Sequence, residues 1–253
     1  MADQYKRIAI VTGSTSGLGE AIARKFVAAG FGVVGNGRTA QKLAALEKEL
    51  GTAFGGVAGD AADQAVVEKL FAKAEERFGR AADIVVANAG RGLGGSVKDA
   101  DLRQFGEVLN TNVAGVAMLI QKAARQMVPV QEKAFPDAAA DIVIMGSVAG
   151  RHISPFSAAY SASKFAVNTL AESLRREIAT TGVRVSLVEP GAVISGFQAA
   201  AGYDDAMVNT LHAKYGPLLV SDDIADAVYH IVIQPPRVHI SDIIVRPTRM
   251  DYP

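Results

Sequence analysis

The sequence predicts an α/β fold, a doubly wound parallel sheet of about seven strands with helices on both faces. Three observations carry this. Short apolar runs rich in β-branched residues, such as 7–11, 31–34 and 142–145, alternate with amphipathic helical stretches along the chain. The first run leads through Thr12-Gly13-Ser14-Thr15-Ser16-Gly17-Leu18-Gly19 straight into a helical pattern. No linker-like composition and no repeat divides the 253 residues, so residues 1–253 are expected to form one domain.

Composition narrows the function classes. Hydrophobic residues make up 49% and charged residues 21%, which excludes global disorder. The formal net charge is +0 and there is no long basic run, so neither nucleic acid nor an anionic membrane is an expected partner. No apolar run reaches the ~18–20 residues of a membrane span. The chain has no cysteine, which removes disulfide and thiolate chemistry and is compatible with the cytosol. Its start runs into a strand without a signal peptide's apolar region, so the expected location is cytoplasmic.

In order, residues 7–11 read as a buried strand and 20–29 as the helix behind the glycine-rich turn. Glycines there let the backbone approach a pyrophosphate, and the helix N-terminus supplies free N–H groups and positive potential. Such glycines also serve ordinary turns; the placement between first strand and first helix favours the nucleotide. A second strand, 31–34, leads to Gly35-Asn36-Gly37-Arg38-Thr39. In dinucleotide folds this strand end meets the adenosine ribose, where an acid would bind both hydroxyls and repel a 2′-phosphate. No acid is present, and Arg38 offers that phosphate a charge-assisted partner, so NADP is expected over NAD. The alternative is an exposed arginine opening the helix 41–50.

Residues 53–57 form a third strand, after which Asp60 either accepts from an adenine amino group or caps a helix starting near Ala62. Asp63 competes for that cap. Strand 83–86 ends in Asn88-Ala89-Gly90. Residues 102–127 read as one long helix, and Asn112 inside it suggests a bulge, a buried polar network, or both. Residues 130–140, with Pro136, read as a loop. Strand 142–145 delivers Ser147 at its carboxyl end, where open α/β sheets bind ligands. Helix 157–180 follows, then strand 183–188 with Glu189-Pro190-Gly191. The irregular 192–219 is expected to be a substrate lid. A helix over 222–233 and a strand over 238–245 complete the pattern.

Tyr160 and Lys164 stand four apart, hence on one face of helix 157–180. A phenol titrates near ~10, and a neighbouring ammonium favours the phenolate, bringing it towards the range of general acid–base catalysis. With Thr12-Gly13-x-x-x-Gly17-x-Gly19, Asn88-Ala89-Gly90, Asn112, Ser147, Tyr160-x-x-x-Lys164 and Pro190-Gly191 in this order, the chain resembles the short-chain dehydrogenase/reductase family from about Arg7 to Val245. The resemblance implies a Rossmann-like fold and an NADP-dependent oxidoreductase acting on a small carbonyl or alcohol substrate. It implies a catalytic set of Asn112, Ser147, Tyr160 and Lys164, in which Asn112 holds a water linking Lys164 to solvent. Expected cofactor contacts are Gly13 to Gly19, Arg38, Thr39, Asp60, Ala61, Asn88, Ala89, Gly90, Tyr160, Lys164, Pro190, Gly191, Val193 and Ser195. Family members commonly pair the helices corresponding to 102–127 and 157–180 across symmetry axes, so a homotetramer or homodimer is expected.

Two positions depart from the family pattern. Ala87 stands where an asparagine is usual, and Ser195 where a threonine commonly meets the carboxamide region. The ending Ile243-Ile244-Val245-Arg246-Pro247-Thr248 resembles that of NADP-dependent reductases of 3-hydroxy acids and of small aldehydes such as sulfoacetaldehyde. An anionic substrate would then suit Arg91 or, better, Arg151, because both leave carboxyl ends of neighbouring strands. Both arginines could instead face solvent or pair with Asp204 and Asp205. Competing readings are an NAD-linked alcohol dehydrogenase of the same family and a nucleotide-sensing protein without turnover.

Overall fold

Strands that are apolar on both faces need cover on both faces, and the topology supplies it. The structure, a computed structural model, describes residues 4–99, 101–153, 157–202 and 204–251. Its elements are β1 (Ile8–Val11), α1 (Gly17–Ala28), β2 (Gly32–Gly37), α2 (Ala40–Leu50), β3 (Phe54–Ala58), α3 (Gln64–Phe78), β4 (Ile84–Ala87) and α4 (Leu102–Leu109). Then follow a π-helical turn (Asn110–Gly115), α5 (Val116–Ala134), β5 (Ala140–Met145), α6 (Ala158–Ile178) and β6 (Val183–Pro190). β7 (Val193–Ile194), α7 (Phe197–Ala200), α8 (Asp205–Tyr215), β8 (Leu219–Val220), α9 (Ser221–Val232) and β9 (Asp242–Val245) complete the chain.

Seven strands pair in parallel in the order β3-β2-β1-β4-β5-β6-β9. Alternate residues of one strand enter opposite cores. Ile8 and Ile10 join α3, α5 and α6 residues such as Leu70, Leu119 and Val167. Ala9 and Val11 join α1, α2 and α9 residues such as Phe26, Leu43 and Val228. The order reverses between β1 and β4, and at such a switch point the strand ends leave a crevice.

The amino ends of the strands are closed by charge. Asp141 receives Arg7 Nη1 at 2.7 Å and both Arg184 Nε and Nη2 at 2.7 and 2.9 Å. Arg7 also reaches the Asp83 side chain, and Arg184 Nη1 donates to Gln234 O, Pro235 O and Val238 O. Among the described residues no helix is long and apolar enough to cross a membrane.

Several boundaries differ from expectation. The long helix is interrupted by the π-helical turn at Asn112, and its last part runs through Pro129 to Ala134. Burial overrides the missing proline donor here: Met127 and Gln131 lie one turn apart and both are buried, and Gln131 Nε2 donates to Ala138 O at 2.7 Å. The last strand begins at Asp242 rather than 238, because side chains of β6 take the preceding carbonyls: Arg184 binds Val238 O and Ser186 Oγ binds Ile240 O. Residues 192–219 are more regular than expected, with α8 capped by Asp204 and a short parallel pairing of β7 with β8.

Candidate active site

A cavity of about 800 Å³ opens at the carboxyl ends of the strands. One end is built from the glycine-rich turn. Gly13 (φ +68°) and Gly17 (φ +55°) hold left-handed conformations. At Gly19 a Cβ would lie 2.3 Å from Gly13 O and 2.5 Å from Asn88 Nδ2, so the start of α1 can approach the turn only as glycine. Asn88 Nδ2 donates to Thr12 O at 2.8 Å, and Thr12 Oγ1 accepts from the amides of Asn88 and Ala89, both at 3.0 Å. The segment after β4 is thereby fastened to the turn. The result is a backbone cradle at a helix N-terminus, the arrangement that suits a pyrophosphate.

Beyond the cradle, β2 ends beside Thr15. A Cβ at Gly37 would stand 2.3 Å from Thr15 Cγ2 and 2.7 Å from Thr15 Oγ1. A carboxylate cannot occupy this strand end unless Thr15 moves. Arg38 follows, exposed and on the cavity wall. Asn36 donates from Nδ2 to Val57 O and Gly59 O, both at 3.1 Å, locking the ends of β2 and β3 together. Asp60 lines the cavity while its Oδ1 accepts from Ala62 N; the cap of α3 is Asp63, bonded to Ala65 N.

The other end carries the polar side chains. β5 passes through Gly146 to Ser147, whose Oγ accepts from Ala149 N at 3.1 Å and so opens a single 3-10 turn, Val148–Gly150. The hydroxyl proton of Ser147 remains available for a second partner. From α6, the Lys164 ammonium lies 5.7 Å from the Tyr160 ring centroid and donates to Met145 O at 2.7 Å. Burial pushes Lys164 down to about 8. The Phe197 ring covers Tyr160 at 5.3 Å between centroids.

Asn112 is 1% exposed. Its Oδ1 accepts from Arg91 N at 2.9 Å, and its Nδ2 donates to Arg91 O at 2.9 Å and Ser163 Oγ at 3.0 Å. Ser163 Oγ in turn donates to Tyr160 O at 2.7 Å. Both expectations for Asn112 hold, the bulge and the buried network. Both amide N–H groups are taken, so any water at Asn112 must be held by an oxygen.

Most of the expected contacts line the cavity: Gly13, Thr15 to Leu18, Arg38, Asp60, Ala61, Asn88 to Gly90, Ser147, Tyr160, Lys164, Pro190, Gly191, Val193 and Ser195. Ser14 instead is buried and donates to Asn36 O from both N and Oγ, Gly19 and Asn112 are buried behind the wall, and Thr39 is exposed outside it. Arg151 requires a correction. The turn after Ser147 swings it out of the cavity, and Arg151 Nε pairs with buried Glu189 at 2.5 Å while Nη2 reaches Asp242 at 3.2 Å. It therefore does not face a substrate beside Ser147. Arg91 lines the cavity, but its guanidinium pairs with Glu107.

Sequence reasoning missed Phe197, Gln198, Leu211, Tyr215 and Met250, which wall the polar end. Only their place in the irregular 192–219 segment and the tail hinted at them. Ser195 Oγ accepts from Phe197 N at 3.3 Å, and Gln198 bonds Ser195 N and Val193 O, so this wall is braced locally.

Known proteins resemble the chain in sequence and in fold. The chain is 31% identical over 245 residues to serine 3-dehydrogenase of Agrobacterium fabrum, covering 96% of this chain and 94% of that one. An uncharacterized oxidoreductase of Staphylococcus epidermidis is 29% identical over 98% of this chain and 100% of its own length. The closed form of a serine dehydrogenase complexed with NADP+ superposes with a TM-score of 0.87 at 28% identity, covering 97% and 96% of the two chains. A 3-ketoacyl-(acyl-carrier-protein) reductase from Brucella melitensis complexed with NADH gives 0.86 at 25% identity, covering 98% and 99%. The sequence profile of the short chain dehydrogenases matches residues 7–205, from the first strand to the start of α8. With sequence and fold in agreement over nearly the whole chain, it belongs to the short chain dehydrogenase family of oxidoreductases.

Proposed function

We propose that the chain is an NADP(H)-dependent oxidoreductase that interconverts a small carbonyl compound and its alcohol. The observation that carries this is one cavity with Ser147, Tyr160 and Lys164 at one end and Arg38, after a β2 end of Gly35-Asn36-Gly37 without an acid, at the other. The bound nicotinamide supplies or takes up the hydride. In reduction, the Tyr160 hydroxyl gives a proton to the carbonyl oxygen, and Ser147 O–H donates to the same oxygen and steadies the developing alkoxide. Lys164, a buried ammonium beside the Tyr160 ring, favours the phenolate and binds the cofactor's ribose. An oxygen of Asn112 holds the water that links Lys164 to solvent. Arg38 takes the 2′-phosphate, and Gly37, where a Cβ would meet Thr15, presents no carboxylate to repel it. The NADP+ complex of the serine dehydrogenase supports this choice; the NADH complex of the Brucella reductase is the observation on the side of NAD.

The segment 192–219 serves as the substrate lid of a one-domain enzyme, and Phe197 over Tyr160 suits a small substrate. Tyr160→Phe keeps the ring and removes the reacting hydroxyl. Turnover should fall by on the order of 10²–10⁴, with NADPH binding kept within a few-fold. Near-normal kcat in that variant would remove Tyr160 from the mechanism. Leu109 and Phe165 remain 37% and 40% exposed on α4 and α6, and a homotetramer, or at least a homodimer, would cover them. A monomer by light scattering at micromolar concentration contradicts that assembly.

A further inference from the structure

We propose that Glu189 is a positioning residue, the buried anion that holds the Ser147 turn, the Tyr160–Lys164 helix and the cofactor-side loop in one register; this rests on the proposed roles of Ser147 and Tyr160. Glu189 is 0% exposed and is followed by Pro190-Gly191 on the cavity wall. Its Oε2 accepts from Arg151 Nε at 2.5 Å and its Oε1 from Asn168 Nδ2 at 2.8 Å. Asn168 lies one helical turn after Lys164, and its Nδ2 also donates to Gly150 O at 3.2 Å. The carboxylate thus touches both groups that grip the end of the turn opened by Ser147.

Packing tightens the same bracket. A Cβ at Gly146, the residue before Ser147, would sit 3.0 Å from Glu189 Cγ. A Cβ at Gly150 would meet Asn168 Nδ2 at 2.9 Å and Lys164 O at 3.0 Å. The Ser147 turn is therefore flanked by the stem of Glu189 at Gly146 and by α6 at Gly150. Arg151 extends the clamp to Asp242 on β9, so three neighbouring elements and the edge strand converge on one anion. A buried carboxylate is tolerated only while its donors stay in place, so the ion pair favours the one arrangement in which Ser147 and Tyr160 share a target.

Glu189→Gln preserves shape and turns one acceptor into a donor facing Arg151. Its kcat for aldehyde reduction with NADPH should fall at least tenfold, with KM for NADPH and aldehyde within threefold of the parent. The double variant Glu189→Gln with Arg151→Gln removes the guanidinium that the new amide donor would face, so its melting temperature should recover while kcat stays low. A folded Glu189→Gln enzyme with kcat within twofold of the parent overturns the proposal, and so does a double variant that regains both properties. Should Glu189→Gln fail to fold, Asn168→Ala removes only the bridge from the anion to Gly150, and the same tenfold criterion decides. Ser147→Ala is the control for the underlying reading: full activity there refutes the site itself, whatever Glu189 does.

Discussion

The two ends of the central sheet treat polar groups in opposite ways. At the amino ends, Arg7, Asp83, Asp141 and Arg184 are closed against one another and against loop carbonyls, with Asp141 1% exposed. At the carboxyl ends, glycines clear a cavity and polar side chains keep capacity in reserve: Ser147 an unspent proton, Lys164 a single carbonyl partner. The same parallel strands make both ends, so the difference lies in what the loops supply. The closed end fixes the strands; the open end is built to complete its bonding with ligands. Stability and chemistry should accordingly respond to different substitutions.

The largest expected effect on stability is at the closed end. Asp141→Asn takes the carboxylate from buried Arg184 and leaves Arg7 only Asp83, a loss of about 3–5 kcal/mol, or a melting temperature lower by roughly 10 °C. Measured well below that transition, kcat should stay within about twofold of the parent. A parallel collapse of kcat would mean the two ends are not separable.

At the open end, Lys164 sharpens the comparison through pH. Its folded pKa of about 8 lies below the ordinary 10.5, so between these values the unfolded chain carries a proton the folded chain has released. Stability therefore rises with pH through this window, and below it the buried ammonium costs about 3 kcal/mol. Denaturant titrations of the parent and Lys164→Met should show the parent gaining about that much on the variant from pH 8 to 10.5. A difference that does not change with pH would contradict the burial of a charged Lys164.

How far the sequence discloses this division depends on the kind of signal. Strand–turn–helix order and the spacing of Ser147, Tyr160 and Lys164 are local patterns, and they led to the sheet and the polar end of the cavity. Arg151 shows the limit. Proximity in sequence to Ser147 said nothing of direction, because the 3-10 turn and Glu189, 38 residues away, decide where the side chain goes. The closed end was invisible for the same reason: Arg7, Asp83, Asp141 and Arg184 lie on four different strands or their approaches, and only strand order brings them together. The helix expected to stop at 127 runs on through Pro129 to Ala134, because tertiary packing buries Met127 and Gln131. In the wall of Phe197, Leu211, Tyr215 and Met250, only Leu211 and Tyr215 stand one turn apart on a helix, and tertiary contact brings that pair to Phe197 and Met250.

Arg38 offers the smallest free-energy change of the three and the most direct test of the central claim, that the open end is an NADP-linked carbonyl-reducing site. Removing a charge-assisted contact costs on the order of 1.5–3 kcal/mol. The measurement is steady-state consumption of NADPH and of NADH with a panel of short aldehydes, for the parent and for Arg38→Ala. The parent should turn over continuously and prefer NADPH, and Arg38→Ala should raise the KM for NADPH more than tenfold while leaving NADH nearly unaffected. Equal losses with both cofactors would make Arg38 structural, and no sustained turnover with any aldehyde would favour a nucleotide sensor over an enzyme.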